Sequence, residues 1–336
     1  MTSKIKLADG GGGEATARLI REVFWSRFTD PELRKGNDAA VLEWSSGKTA
    51  LTTDAFVVTP WKFPGGDIGR LAVSGTVNDL TMSGAEPKFL TAAFIIEEGF
   101  ETDSLKEIVQ SMAETAVEAG VAIVAGDTKV VNRGAVDRIF ITTTGIGLVE
   151  GEYYPGGEKA RPGDQVIITG TVGDHGAAIL LARGELGISA ELESDVAPLN
   201  RMLLPLIRHF KAGVRAMRDP TRGGLAVTLN EIAGQSKVSI ILNEAQIPVL
   251  PEVRGISALL GLDPLYLANE GKAIIIAAPE IAADLVGQLK RTPLGAKAAL
   301  IGEVSAENPG LVMLRNQNGG GRVLPMGSGE LLPRIC

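Results

Sequence analysis

Apolar positions change their spacing several times along the chain. KTALTTDAFVV (48–58) is a β-branched run and KFLTAAFIIEE (88–98) a nearly continuous apolar one, and both predict strands. Between them, DIGRLAVSGTVNDLTMSGA (67–85) predicts a helix rich in small residues, suited to close packing. DSLKEIVQSMAETAVEAG (103–120) predicts a second helix. Its apolar face is Leu105, Ile108, Val109, Met112 and Ala116, Ser104 and Glu107 form a capping box, and Gly120 stops it. VAIVAGD (121–127) and RIFITTTGIGLV (138–149) add two strands. The pattern breaks into glycine, proline and charge at GEYYPGGEKARPGD (151–164), which marks a domain boundary.

The second half repeats the mixture. QVIITG (165–170), VSIIL (238–242) and AIIIAA (273–278) read as strands. Helices are predicted across 176–210, from RDPTRGGL (218–225) to Gly234, and over PEIAADLVGQLK (279–290). Beyond 316 the chain is Gly-rich and weakly patterned, and it reads as a mobile tail. The expected organisation is an α/β domain over 1–155, an α+β domain over 156–316, and a tail over 317–336.

Composition narrows the class. The 336 residues are 45% hydrophobic and carry 33 basic and 40 acidic side chains, a net charge of −7. That balance disfavours nucleic acid or an anionic membrane held by bulk electrostatics. No run approaches the roughly 18 apolar residues of a membrane helix, and the start shows no secretory pattern. The 42 glycines are not periodic, so they indicate tight turns. One cysteine excludes an internal disulfide and fits a reducing, cytoplasmic setting.

The usual nucleotide signatures, a zinc set and a G-x-S-x-G elbow are all absent. What recurs is aspartate at element ends or beside glycine: Asp38, Asp54, Asp79, Asp127 and Asp219. Aspartate often caps helices and closes turns. As a set, however, carboxylates converging from several loops could hold a magnesium nucleotide without a P-loop. Lys129, two residues after Asp127, would place a cation beside the phosphates, or it is a surface charge. Gly11 and Gly12, within GGGG at 10–13, either wrap phosphates with their amides or form a loose N-terminus. His175 reads as a turn or helix-start residue, and Glu270 as part of a turn before a buried strand.

Cys336 is different. A structural cysteine is usually buried, and the last residue of a Gly-rich tail is poorly placed for that. From Gly321 onward, extended chain could span roughly 50 Å. The tail reads as a swinging arm with a thiol at its tip.

Together these motifs resemble the HypE family of hydrogenase maturation proteins, in the superfamily of aminoimidazole ribonucleotide synthetase and selenophosphate synthetase. The resemblance spans essentially the whole chain through GGGG, TTDAFV, GTVNDL, AGDTKVV, GDHG, RDPTRGGL, ANEGKA and the terminal PRIC. Two positions depart from it: Asp9 stands where the family commonly has histidine, and Asn37-Asp38 where it often has an acidic pair. The resemblance implies a two-domain PurM-like fold and a cytoplasmic homodimer with ATP near the N-domain interface. It also implies a HypF-type carbamoyltransferase that loads Cys336, and a HypC–HypD type complex that accepts cyanide. Carried over by motif, Asp54, Asp79 and Asp127 hold magnesium, and Asp38, Asp219, Gly11 and Gly12 join them around the nucleotide. Lys129 and Glu270 act on the carboxamide carried by Cys336. The alternative is a free-substrate ATP enzyme of the selenophosphate synthetase or thiamine-phosphate kinase type. Selenophosphate synthetases carry Cys or Sec beside the N-terminal glycines, where LADGGGGEAT has none.

Overall fold

The computed structural model of the chain describes residues 13–19, 21, 33–44, 47–184, 187, 190–316, 318–327, 332 and 334–336. After a short helix α1 (Gly13–Leu19), the first unit runs β1 (Ala40–Trp44), β2 (Gly47–Phe56), β3 (Lys62–Phe63), β4 (Gly66–Asp67), α2 (Ile68–Met82), β5 (Ala85–Glu97), α3 (Thr102–Ala119), β6 (Ala122–Val131) and β7 (Ile139–Val149). Five of these strands form a sheet in the order β1-β2-β7-β5-β6, with α2 packed on one face. Asp67 starts α2 by accepting from the amides of Gly69 and Arg70 at 2.7 and 2.9 Å.

Small residues in α2 do what their size allows. A Cβ at Gly69 would stand 2.4 Å from the carbonyl oxygen of Ile108 in α3, and one at Gly75 would stand 2.9 Å from the Phe56 ring on β2. The helix therefore lies unusually close to both neighbours. On the other face of the sheet Leu51, Phe89, Ile146 and Leu148 are exposed with no described element packed over them, and β6 is exposed along almost its whole length.

The second unit comprises β8 (Gln165–Ile168), α4 (Asp174–Ala182), α5 (Asn200–Phe210), β9 (Val214–Arg218), α6 (Gly224–Ser236), β10 (Ser239–Asn243), α7 (Pro251–Leu260), β11 (Ile274–Ala277), α8 (Pro279–Leu289), β12 (Ala299–Ser305), β13 (Val312–Arg315) and β14 (Gly321–Val323). Its sheet order is β14-β13-β10-β12-β8-β11-β9. Both faces are covered, and the alternation along β11 shows how. Ile274 and Ile276 pack toward α6, while Ile275 and Ala277 pack toward α5 and α8.

Three readings of the sequence need correction. Glu101, not Ser104, stands at the N-cap of α3, and it makes no side-chain cap; Glu107 instead pairs with Lys62 at 2.7 Å. Val109 is exposed, because the buried stripe of α3 runs through Ile108, Met112, Thr115, Ala116 and Ala119. The helices across 176–210 are interrupted by 190–199, which has no regular structure and lies largely buried against its neighbours.

The tail departs furthest from expectation. Gly321–Val323 extends the second sheet, and Leu324 is fully buried behind it. The last residues return to the first unit. Val57 donates its amide to the Cys336 carbonyl at 3.0 Å and Thr59 to the Arg334 carbonyl at 3.2 Å, continuing the line of β2. Arg334 pairs with Asp137 and donates from Nε to the Val57 carbonyl at 2.9 Å. Ile335 is only 4% exposed and belongs to the core of the first unit, with Cys336 half-buried beside it. In this state the arm is docked.

Gly69→Ala tests the close packing of α2. The methyl must displace main chain in α3, so a loss of roughly 1–3 kcal/mol is expected, read as a lowered thermal midpoint. A midpoint equal to that of the parent would mean the two helices separate without cost.

Candidate active site

Carboxylates from both units meet where α2 faces β9. Asp38 precedes β1, Asp54 lies near the end of β2 on the face toward α2, and Asp79 projects from α2. The second unit supplies Asp219, just after β9, and Glu270, in the loop before β11. Oxygens of Asp38, Asp79 and Asp219 all lie within 4.8 Å of one another. Thr52 Oγ1 sits 2.8 Å from Asp79 Oδ2 and 3.0 Å from the Asp38 carbonyl. Thr76 Oγ1 donates to Asp54 Oδ2 at 3.2 Å.

Burying so much negative charge shifts every member. Burial raises Asp38 to about 6, against the pull of Arg218, which ion-pairs with it at 2.8 Å. Burial also holds Asp79 and Asp219 well above the ordinary carboxylate range, and the neighbouring aspartates add to the effect. Asp54 is raised for the same first reason, with Thr76 and the Arg222 charge opposing. Glu270 is 2% exposed and likewise held well above its usual value by burial, then by Asp219 and Asp195. Its Oε1 is buried and has no hydrogen-bond partner among the described residues. The group is a set of hard oxygen donors short of positive charge, which suits a divalent cation bound with phosphates.

The loop that carries Glu270 is itself tightly held. Asp195 accepts from Asn269 Nδ2 at 3.0 Å, from the amides of Glu270 and Gly271 at 3.1 Å each, and from Lys272 Nζ at 3.2 Å. Asn78, next to Asp79 on α2, crosses the junction. It donates to the carbonyls of Ala197 and Glu270 at 3.0 and 3.3 Å and accepts from the Leu199 amide at 2.8 Å.

Apart from Cys336 on the docked tail, the residues expected from sequence divide into three groups. Asp38, Asp54, Asp79, Asp219 and Glu270 come together. Asp127 and Lys129 do not join them within one chain. Asp127 follows Gly126, which pairs across β5 and β7 with the level of Asp54, so three strand spacings, about 14 Å, lie between them. Asp127 and Lys129 also pair with Ala93 and Ile95, on the uncovered face, whereas Asp54 points to the other. They bond each other at 3.1 Å and are exposed. Within one chain Asp54, Asp79 and Asp127 do not come together, and among the described residues the carboxylates close enough to share one cation are Asp38, Asp79 and Asp219. Gly11 and Gly12 lie outside the described residues. Sequence reading missed Arg218 and Asp195, and gave His175, which is fully buried, only as a turn or helix-start residue. The one available signal was Asp195 in ESDVAPL, an acid three residues before a proline.

Comparisons with known proteins agree with one another. The family profile described as AIR synthase related protein, N-terminal domain, matches residues 36–149, and the corresponding C-terminal domain matches 161–314. A carbamoyl dehydratase HypE from Cupriavidus necator is 50% identical over 336 residues, 100% of this chain and 95% of the relative. A HypE structure solved in complex with ATP is 49% identical, with a TM-score of 0.83 and 98% of each chain covered. A HypE–HypF complex contains a chain 48% identical, with a TM-score of 0.86, covering 91% of this chain and 98% of that one.

Asp79→Asn removes one buried charge and leaves an acceptor for Thr52. A carboxyl with a raised folded pKa binds a proton that the unfolded chain has released. Its penalty therefore grows as pH rises above about 4 and vanishes below it. At pH 7.5, without added metal, the variant should melt about 2–4 °C higher than the parent, and the gain should shrink toward pH 4.5. A lower midpoint at pH 7.5 would mean that the Asp79 charge is stabilising as it stands.

Proposed function

The chain belongs to the HypE family of carbamoyl dehydratases, and we propose how its own residues share that reaction. It uses ATP to dehydrate an S-carboxamide on Cys336 to an S-cyanide, the source of the cyanide ligand on iron in nickel–iron hydrogenases. The observation that carries this reading is the docked tail. Cys336 is bonded through its main chain to Val57, three residues, or about 10 Å of strand, beyond Asp54.

Hydroxide is a poor leaving group, so the carboxamide oxygen must first become phosphate. The oxygen attacks the γ-phosphorus of ATP, the bond to the ADP oxygen breaks, and ADP leaves with the electron pair. The imidate then loses one N–H proton. As the second proton leaves, the carbon–oxygen bond breaks, phosphate departs with its electrons, and C≡N forms. Glu270 is the base for the nitrogen: a buried carboxylate with a raised pKa holds a proton more strongly than an exposed one. Asp38, Asp79 and Asp219, with Asp54 beside them, would hold the magnesium that travels with ATP, and their mutual repulsion fits a divalent cation. Bound there, magnesium neutralises phosphate charge as phosphoryl transfer proceeds.

Asp127 and Lys129 can serve the same nucleotide only from a second copy of the chain. The uncovered apolar sheet face supports a homodimer in which each copy offers that pair to its partner's site. A HypF-type carbamoyltransferase loads Cys336, and a HypC–HypD type complex takes the cyanide to iron. A reactive terminal thiol fits the reducing cytoplasm, and no helix among the described residues is long and apolar enough to cross a membrane. The free-substrate alternative is not favoured, because relatives named carbamoyl dehydratase HypE match essentially the whole chain at 50% and 46% identity, against 20% for a thiamine monophosphate kinase.

Intact mass is the test, since a carbamoyl adds about 43 Da to the thiol and dehydration removes about 18 Da. Lys129→Ala alone and Glu270→Gln alone should both load and then stall before the loss. When the two variants are mixed and allowed to exchange subunits, half the dimers are mixed and each has one intact site. About a quarter of the parental rate should therefore return. A mixture as inactive as its components would place Lys129 in the site of its own chain or outside the reaction.

A further inference from the structure

His175 is the second residue of α4, fully buried, with its ring edge-on to Phe63 at 5.5 Å between centroids. Its Nε2 lies 2.7 Å from the main-chain carbonyl of Ile335, the residue before Cys336. A carbonyl only accepts, so Nε2 carries the hydrogen. Nδ1 is then bare and accepts from Ser194 Oγ, also at 2.7 Å. Burial lowers the pKa of this imidazole, which keeps it in the neutral form that the tautomer requires. Ser194 Oγ is fixed in turn by the Val196 amide, 3.1 Å away.

The residue after Ser194 is Asp195, which gathers four donors from Asn269 to Lys272 and so sets the main chain at Glu270. Gly271 lets that loop approach: a Cβ there would stand 1.8 Å from the Asp195 carbonyl oxygen. Two adjacent residues of one extended stretch therefore hold both reacting partners. Asp195 holds the loop of the base, and Ser194, through His175, holds the main chain next to the thiol.

We propose that His175 is a positioning residue for dehydration, fixing the Ile335 carbonyl so that the group on Cys336 is presented in register with the Glu270 carboxyl. The proposal rests on the dehydratase reading above. The contacts of His175 are with Ser194, Phe63 and the Ile335 carbonyl, so it acts through the tail main chain. Removing its Nε2–H would leave the Ile335 carbonyl without its donor in a buried place and let the carboxamide wander. Loss of alignment by about 1 Å can cost on the order of 100-fold in rate.

The experiment compares His175→Phe, which keeps a ring against Phe63 but removes both nitrogens, with His175→Gln, which restores an amide donor. Full-length protein is loaded with a carbamoyl group by its partner enzyme, isolated, and mixed with magnesium and ATP. The loss of about 18 Da from the tail is then followed in a single turnover. His175→Phe should slow this step on the order of 100-fold while calorimetry gives an unchanged ATP affinity, and His175→Gln should recover most of the rate. Should the Phe variant fail to bind ATP, Ser194→Ala, which leaves the ring but frees its orientation, takes its place with the same pattern required. A Phe variant as fast as the parent, or a Gln variant as slow as the Phe variant, would overturn the proposal. A parent chain that never loses 18 Da would overturn the dehydratase reading itself, a separate outcome.

Discussion

Carboxylates buried without enough positive charge are the constraint on which this structure turns. Asp38, Asp54, Asp79, Asp219 and Glu270 are drawn from two units and all are pushed toward their neutral forms, mainly by loss of water. Taking a carboxylate out of water costs several kcal/mol. Such a cluster persists only if surrounding packing enforces it. Here the enforcement comes from α2, whose glycines let it lie against β2 and α3, and from Asn78, which ties α2 to 197–199 and to the Glu270 loop. Stability given up at the junction is available to whatever cation and phosphates bind there.

The same junction explains why the end of the chain is seated where it is. Val57 and Thr59 lie just past β2, the strand that carries Asp54, and they pair with Cys336 and Arg334. Docking therefore aligns the tail with the strand nearest the charge cluster. The contacts that hold it include two ladder bonds, the buried side chain of Ile335, the Arg334–Asp137 pair, bonds from Arg334 to the Val57 carbonyl and from Arg183 to the Arg334 carbonyl, and the His175 bond. All of these must give way for the tail to make the visits proposed above to a loading enzyme and an iron-carrying complex. On the opposite side of the sheet lies the exposed face with Asp127 and Lys129, where the proposed second copy of the chain would pack.

Much of this was legible in the sequence, and the failures have physical causes. Periodicity located the strands carrying Asp54 and Asp127 and the helix carrying Asp79, because each of these elements packs at least one regular face. Aspartates beside glycine or at element ends drew attention to Asp38, Asp79 and Asp219. Which face of the sheet each residue occupies was not legible, since that depends on register across three strands, and so Asp127 was grouped with residues on the far side. Ser104 and Glu107 had the spacing of a capping box, but α3 begins at Thr102 and Lys62 claims Glu107. Asp195 escaped notice because 190–199 has no period, and His175 was legible only as a helix-start residue because its partners lie 19 and 160 residues away. The docking of the tail was equally hidden, as Arg334 finds Val57 across 277 residues.

The central claim is that the carboxamide oxygen on Cys336 is carried off as phosphate. Loading the chain with a carbamoyl group labelled with oxygen-18, adding ATP for one turnover, and determining the isotope content of the released inorganic phosphate tests this directly. One labelled oxygen in each phosphate, appearing at the rate of the S-cyanide, is the expected result. Phosphate carrying only solvent or ATP oxygen while the S-cyanide still forms would contradict it, because dehydration would then proceed without phosphorylation of the carboxamide.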